Sequence, residues 1–182
     1  MLPEHPFTWL PARFHKRAFF FFTFAAISIM VLLNIVGVPL ITDRSPTGIV
    51  SFEMAGDLAN AQAMVASWGE NGRIAAGISL GADYLFMPVY AAAIGLGCIL
   101  VAGQFGPGNG QRLGYILAWA QGAAALLDGV ENVALIQILL GNTNLNWPPV
   151  AYWCAFIKFV FIALGLLYAL GGWVWTQWSK RV

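Results

Sequence analysis

The residues with the clearest potential for chemistry lie in segment 126–135, within a stretch that is otherwise apolar enough for the interior of a bilayer. Asp128, Glu131 and Asn132 occur there within five residues. On a helix the two acids lie one turn apart on one face, with Asn132 beside them. Because a charge in lipid is costly unless it faces protein, water or a partner, this segment is the strongest indication of a functional site. The chemistry available to it is proton acceptance or the binding of a positively charged group.

The composition of the chain indicates an integral membrane protein. Its 182 residues are 59% hydrophobic and 9% charged, whereas a soluble domain carries about 25% charged residues. The mean hydropathy is +0.72. Since the formal net charge is +1, the chain lacks the basic field of a nucleic-acid-binding protein.

Four segments are long enough to cross a bilayer, at about residues 18–40, 74–103, 112–140 and 150–173. The sequence therefore predicts an all-α, four-helix transmembrane bundle that forms a single integral membrane domain over residues 1–182. A signal peptide is the alternative for the first segment. Its apolar core would then be only about 7 to 15 residues long, so we expect this longer segment to be retained as a helix.

The loop of residues 41–73 is the one sizeable segment between these spans. Ser45-Pro46 is typical of a helix start, and Asp57 is placed to cap a second short helix. Apolar residues at helical spacing follow Asp57, namely Leu58, Ala61, Met64, Val65 and Trp68. We expect this second helix to lie on the membrane surface or over the mouth of the bundle as a lid; covering the bundle edge is the alternative.

The distribution of Lys and Arg predicts the orientation. Six of them lie in the N-terminal segment, the second loop and the tail, whereas the large loop has two and the third loop none. Because positive charge marks the cytoplasmic side, we expect both termini inside and the large loop outside. The residues on the inner side are Arg13, Lys16, Arg17, Arg112, Lys180 and Arg181.

With this topology, polar residues of all four spans fall in one layer, roughly 10 to 18 Å below the outer surface at about 1.5 Å per helical residue. They are Asn34, Asp83, Asp128, Glu131, Asn132 and Lys158. We expect a polar network or pocket beneath the large loop, in which Lys158 pairs with Glu131 or Asp83. Because three acids face one lysine, protonation, water, a cation or a cationic ligand must relieve the excess negative charge.

Several of these residues have a plainer alternative role. Asn34 and Asn132 are suited to hydrogen bonds that join helices. Tyr84 either donates to a carboxylate or packs as an aromatic side chain. Glu53 is either a solvated loop charge or an acid that reaches the site from the lid.

Other site chemistries are disfavoured by the residues present. His5 and His15 both lie in the N-terminal segment, so a haem, di-iron or zinc site inside the bundle is excluded. Cys98 and Cys154 lie in different spans, too far apart to form a disulfide. We expect no metal and no cofactor.

A short pattern in the chain resembles a family of small bacterial integral membrane proteins without an assigned function. It comprises Gly48 to Gly56, then Ser67-Trp68-Gly69, then Leu80 to Phe86, and finally the Asp-x-x-Glu-Asn run at Asp128. The resemblance implies a bacterial inner membrane but no activity. It also implies that one pattern includes Glu53, Trp68, Asp83, Asp128, Glu131 and Asn132.

Three hypotheses for function follow. The first is a membrane protein that binds a small or lipid-like ligand, a cation or a proton in an acidic pocket open to the outer side. The second is an accessory subunit or homo-oligomer whose small-residue stripe, Gly114, Ala118 and Gly122, contacts a partner helix. The third is a carboxylate-dependent enzyme with a lipid-soluble substrate. We expect binding rather than catalysis.

Overall fold

The computed structural model describes residues 4–178, and within them it contains helices and turns but no β-strand. The predicted all-α fold is therefore confirmed. The α-helices are α1 (Ala12–Val36), α2 (Ile49–Glu53), α3 (Leu58–Ser67), α4 (Gly69–Ala102), α5 (Asn109–Leu139) and α6 (Trp147–Trp178). One 3-10 turn, Val38–Leu40, follows α1.

Four of these helices, α1, α4, α5 and α6, are 25 to 34 residues long and apolar enough to cross a membrane. The chain is thus a multi-pass membrane protein by the length and composition of its helices. All four helices begin before the predicted spans, at Ala12, Gly69, Asn109 and Trp147, and α6 also continues past its predicted end to Trp178. Hydropathy marks the apolar part of a helix, whereas its hydrogen bonds continue into the polar interface. Lys180 and Arg181 lie outside the described residues.

In the loop between α1 and α4, the first helix begins later than the sequence predicts. The prediction of a helix start at Ser45-Pro46 is wrong, because α2 begins at Ile49, after Gly48 with φ 62°. The Ser45 hydroxyl instead donates to the Leu40 carbonyl oxygen at 2.6 Å. The predicted cap of α3 is confirmed, since the Asp57 carboxylate accepts from the Asn60 N–H at 2.8 Å.

Trp68 fixes this loop in place. Its indole N–H donates to the Leu40 carbonyl oxygen at 2.9 Å and to the Ser45 Oγ at 2.8 Å. Its ring packs edge-on against Phe52, with centroids 5.1 Å apart. Both aromatic side chains are buried with Leu80 of α4 and Leu135 of α5 in one hydrophobic core. The loop is therefore part of a packed core.

The described residues form two compact units, to which each long helix contributes. The loop unit comprises residues 27–87 and 126–158, and the terminal unit comprises residues 4–26, 88–125 and 159–178. The core of the loop unit is built on Trp68 and its neighbours. The core of the terminal unit contains Cys98, Ile99, Leu117 and Ala118.

Close helix packing in the terminal unit depends on Gly114. A methyl group at this position would lie 2.5 Å from the Tyr168 hydroxyl oxygen and 2.7 Å from the Ala102 side chain. At Gly122 a methyl group would meet nothing within 4 Å. At Gly114, the small-residue stripe of α5 thus packs against α4 and α6 of the same chain.

We predict that Gly114→Ala lowers stability by about 1–3 kcal/mol, because the added methyl group overpacks the contact with Tyr168 and Ala102. The matched control is Gly122→Ala, which gains the helix propensity of alanine without a clash and should be neutral or stabilising. Thermal unfolding of both variants in the same detergent measures the difference. Equal stability of the two variants would contradict the packing described for Gly114.

We also predict that Trp68→Phe destabilises the loop unit by about 1–3 kcal/mol, since it removes the buried indole N–H that donates to the Leu40 carbonyl and the Ser45 hydroxyl. The control is Trp153→Phe on α6, because the Trp153 side chain is 58% exposed. Hydrogen exchange of the amides in residues 37–68 should rise in the first variant and not in the second. Unchanged exchange in Trp68→Phe would contradict its role as an anchor.

Candidate functional site

Lys158 of α6 lies at the centre of a buried acidic cluster in the loop unit. Its Nζ is 2.7 Å from the Asp128 Oδ1, 2.9 Å from the Glu131 Oε1 and 2.8 Å from the Glu131 Oε2. The two acids are adjacent because they lie one turn apart on α5. Asp128, Glu131 and Lys158 are 3%, 0% and 5% exposed. A lysine at this depth is stable only with such partners.

Asp83 and Asn132 form a second contact in the same unit. The Asn132 side-chain amide of α5 donates to the Asp83 Oδ2 at 2.8 Å and to the Leu80 carbonyl oxygen at 3.3 Å, both on α4. Asp128 lies in the same cluster and is close enough for its charge to act on Asp83. Two carboxylates at close range repel each other in a medium of low dielectric constant.

Glu53, the last residue of α2, brings a fourth carboxyl group to the cluster. Its Oε2 lies 3.8 Å from the Lys158 Nζ, and this buried oxygen has no hydrogen-bond partner. Burial, the largest influence, raises the pKa of Glu53 from its ordinary value of 4.5 to about 7. Lys158 lowers this pKa and the charges of Asp128 and Asp83 raise it. Glu53 is thus an acid that titrates near neutral pH.

The structure brings together six of the eight residues that the sequence proposes for the site: Glu53, Asp83, Asp128, Glu131, Asn132 and Lys158. The predicted pairing of Lys158 with Glu131 is present, and Asp128 is an additional partner. Asp83 contacts Asn132 instead of Lys158. The alternative of a solvated Glu53 does not hold, since the residue is 8% exposed.

Asn34 and Tyr84 lie apart from these contacts. Asn34 is exposed, and its side-chain amide donates to the Met30 carbonyl oxygen of its own helix at 2.7 Å. Tyr84 is 41% exposed, and its hydroxyl donates to the Gly129 carbonyl oxygen at 3.3 Å. Sequence depth places Asn34 at the right level, but the rotation of α1 turns it to an exposed face.

Gln121 is a buried polar residue that the sequence did not predict. Gln121 of α5 is 0% exposed and lies in the terminal unit, where its amide donates to the Phe161 carbonyl oxygen at 2.9 Å. The signal that could have identified it is an amide in the middle of an apolar span. Its bonds join α5 to α6, which is the role expected of an interhelical amide.

Proton binding is one kind of chemistry that this cluster can perform. Among residues 4–178, no three His, Cys, Asp or Glu side chains are arranged to hold a metal ion. The Lys158 ammonium group occupies the position between the carboxylates where another cation would bind. Four carboxyl groups around one ammonium group carry excess negative charge unless protons neutralise part of it.

Comparisons with protein family models, with curated proteins and with solved structures give no match for this chain. The resemblance to small bacterial membrane proteins therefore stays a prediction, and the function has to be argued from the cluster itself.

The raised pKa of Glu53 predicts a pH-dependent stability. Between pH 4.5 and about 7, the folded protein retains a proton on Glu53 that the unfolded chain releases. Protonated Glu53 therefore stabilises the folded protein at low pH. This contribution to the free energy of unfolding falls by at most about 3 kcal/mol as the pH rises through this window. In unfolding experiments across the same pH range, Glu53→Gln should remove this part of the dependence of the free energy of unfolding on pH.

The matched control for this prediction is Glu70→Gln, because Glu70 is an exposed acid in the first turn of α4. The stability of Glu70→Gln should depend on pH in the same way as that of the wild type. A Glu53→Gln variant whose stability has the same pH dependence as the wild type would contradict the pKa given for Glu53.

Proposed function

We propose that this chain is a multi-pass membrane protein that binds and releases protons at the acidic cluster centred on Lys158. The observation that carries this proposal is a buried ammonium group with three carboxyl groups at 3.8 Å or less and a fourth, that of Asp83, in the same cluster. If all were ionised, three negative charges would remain without a counter-charge in a medium of low dielectric constant. Protons relieve this excess and leave again when the surroundings change.

The packing of the cluster favours a proton over a larger ligand. Asp128, Glu131, Asn132 and Lys158 are each at most 5% exposed. Phe52, the neighbour of Glu53 in the chain, and Trp68 are buried in the hydrophobic core of the same unit. A lipid-like molecule would need space that these side chains fill, whereas a proton needs an acceptor atom and a donor within reach.

The proposed setting is a bacterial inner membrane, with both termini in the cytoplasm and α2 and α3 on the outer side. The support for this orientation is the excess of Lys and Arg in the N-terminal segment, the second loop and the tail. In this orientation Glu53 lies on the outer side of the cluster. The cluster would then exchange protons with the outer aqueous phase.

The test is infrared spectroscopy of the purified protein in detergent, recorded between pH 5 and 8. A protonated carboxyl group has a carbonyl stretch distinct from that of a carboxylate, so we expect a carboxyl band that loses intensity as the pH rises. Asp128→Asn and Glu131→Gln, which preserve side-chain size, should each weaken or shift this band. Glu70→Gln, the exposed-acid control, should leave it unchanged.

The result that would overturn the proposal is a spectrum without a protonated carboxyl band at any pH in this range. A band identical in the wild type, Asp128→Asn and Glu131→Gln would also overturn it. In either case the acids would serve as structural partners of Lys158.

A further inference from the structure

The terminal unit contains a groove of about 500 Å³ between α1, α4 and α6. This volume lies within the range of about 300 to 1,000 Å³ that is typical of small-molecule sites. The wall of the groove includes Gly97 of α4, where an added methyl group would lie 3.2 Å from the Phe19 side chain and 3.4 Å from that of Ala169. The groove therefore lies where three helices pack together, each long and apolar enough to span a membrane.

The lining of the groove is polar near the helix ends and apolar elsewhere. Lys16 lies in the second turn of α1, Gln104 two residues after the end of α4, and Gln177 in the last turn of α6. All three side chains are exposed. The rest of the lining is apolar and includes Phe19, Phe20, Leu100 and Leu170. The groove thus has the two-part character of a phospholipid, with a polar end and an apolar length.

Positive charge predominates in this unit. In its described residues the basic side chains are Arg13, Lys16, Arg17 and Arg112, whereas Glu4 is the one acid. Within residues 4–178, no acid lines the groove and no carboxylate forms an ion pair with Lys16. An anionic group in the groove would therefore be attracted by Lys16 and would meet no acid in the lining that repels it.

We propose that this groove binds one anionic phospholipid of the surrounding membrane, with its phosphate at Lys16, Gln104 and Gln177 and an acyl chain along the apolar lining. An ammonium group and two side-chain amides are donors suited to phosphate oxygens. Basic pockets between transmembrane helices are a recurrent way of holding anionic lipid headgroups. This inference goes beyond the proton-binding function and does not depend on it, because no residue of the acidic cluster lines the groove.

The groove favours a lipid over a second copy of this chain. A symmetric dimer formed through this face would place the same surface of each copy against the other. Lys16 and its neighbours Arg13 and Arg17 would then approach their own counterparts, and like charges at an interface repel. Phe20 and Leu170, which are 59% and 65% exposed, are by contrast suited to contact with acyl chains.

The experiment is native mass spectrometry of the full chain in mild detergent, titrated with dioleoyl phosphatidylglycerol or with zwitterionic dioleoyl phosphatidylcholine. We expect one bound phosphatidylglycerol, with a dissociation constant about tenfold lower than that of phosphatidylcholine. Lys16→Gln should weaken phosphatidylglycerol binding about fivefold, because it removes one cation from the headgroup site. The control Arg112→Gln removes the same charge from the same unit outside the groove, and its affinity should stay within about twofold of the wild type.

A second pair of variants tests the apolar length of the groove. Leu170 and Leu167 both belong to α6 and are 65% and 69% exposed, so neither supports the buried core. Of the two, Leu170 lines the groove. Leu170→Trp should fill part of the groove and weaken phosphatidylglycerol binding about tenfold, whereas Leu167→Trp should bind as the wild type does.

Three results would overturn the proposal. The first is equal affinity for the two lipids, and the second is an equal loss of affinity in Lys16→Gln and Arg112→Gln, which would show attraction by overall charge alone. The third is a dimer that binds no phosphatidylglycerol, which would make the groove an interface between copies. The carboxyl band that tests proton binding is measured separately, so failure of the lipid site and failure of the proposed function are distinguishable.

Discussion

The buried ammonium group of Lys158 is the constraint on which the loop unit depends. Taking a lysine out of water is costly, and the cost is recovered only when carboxylates surround it at close range. Asp128 and Glu131 do so from α5, and Glu53 adds a weaker contact from α2. The register of α5 against α6 is therefore fixed, because sliding either helix by one turn would separate these charges by about 5 Å.

The same constraint explains why the loop between α1 and α4 is packed. For Glu53 to stand near Lys158, α2 must be held against the helices, and Phe52, Trp68 and Leu40 provide the apolar contacts that hold it. The indole N–H of Trp68 donates to the Leu40 carbonyl oxygen and to the Ser45 hydroxyl, so its own buried donor is satisfied as well. Hydrophobic packing thus positions a carboxyl group that electrostatics alone would keep in water.

The number of acids separates this cluster from an ordinary structural ion pair. One lysine needs one carboxylate for neutrality, and here Glu53, Asp83, Asp128 and Glu131 all lie nearby. Each added acid raises the electrostatic cost unless it can take up a proton. The proposed proton exchange gives this surplus a physical role, and the α5 acids Asp128 and Glu131 are the most deeply buried of the four.

The sequence by itself determined the four long helices, which are apolar enough to span a membrane, and most of the residues of the acidic cluster. Hydropathy and segment length suffice for the helices, and acids in an apolar span are rare enough to mark a site. The tertiary structure decided which residues each acid contacts. The depth of a residue along a helix can be counted from residue numbers, whereas the rotation of the helix about its axis depends on packing with neighbouring helices. Lys158 therefore meets Asp128 as well as Glu131, Asp83 meets Asn132, and Asn34 stays on an exposed face. The tertiary structure also decided the burial of Glu53, because this burial depends on the packing of Phe52 against Trp68, which lies fifteen residues after Glu53 in the chain.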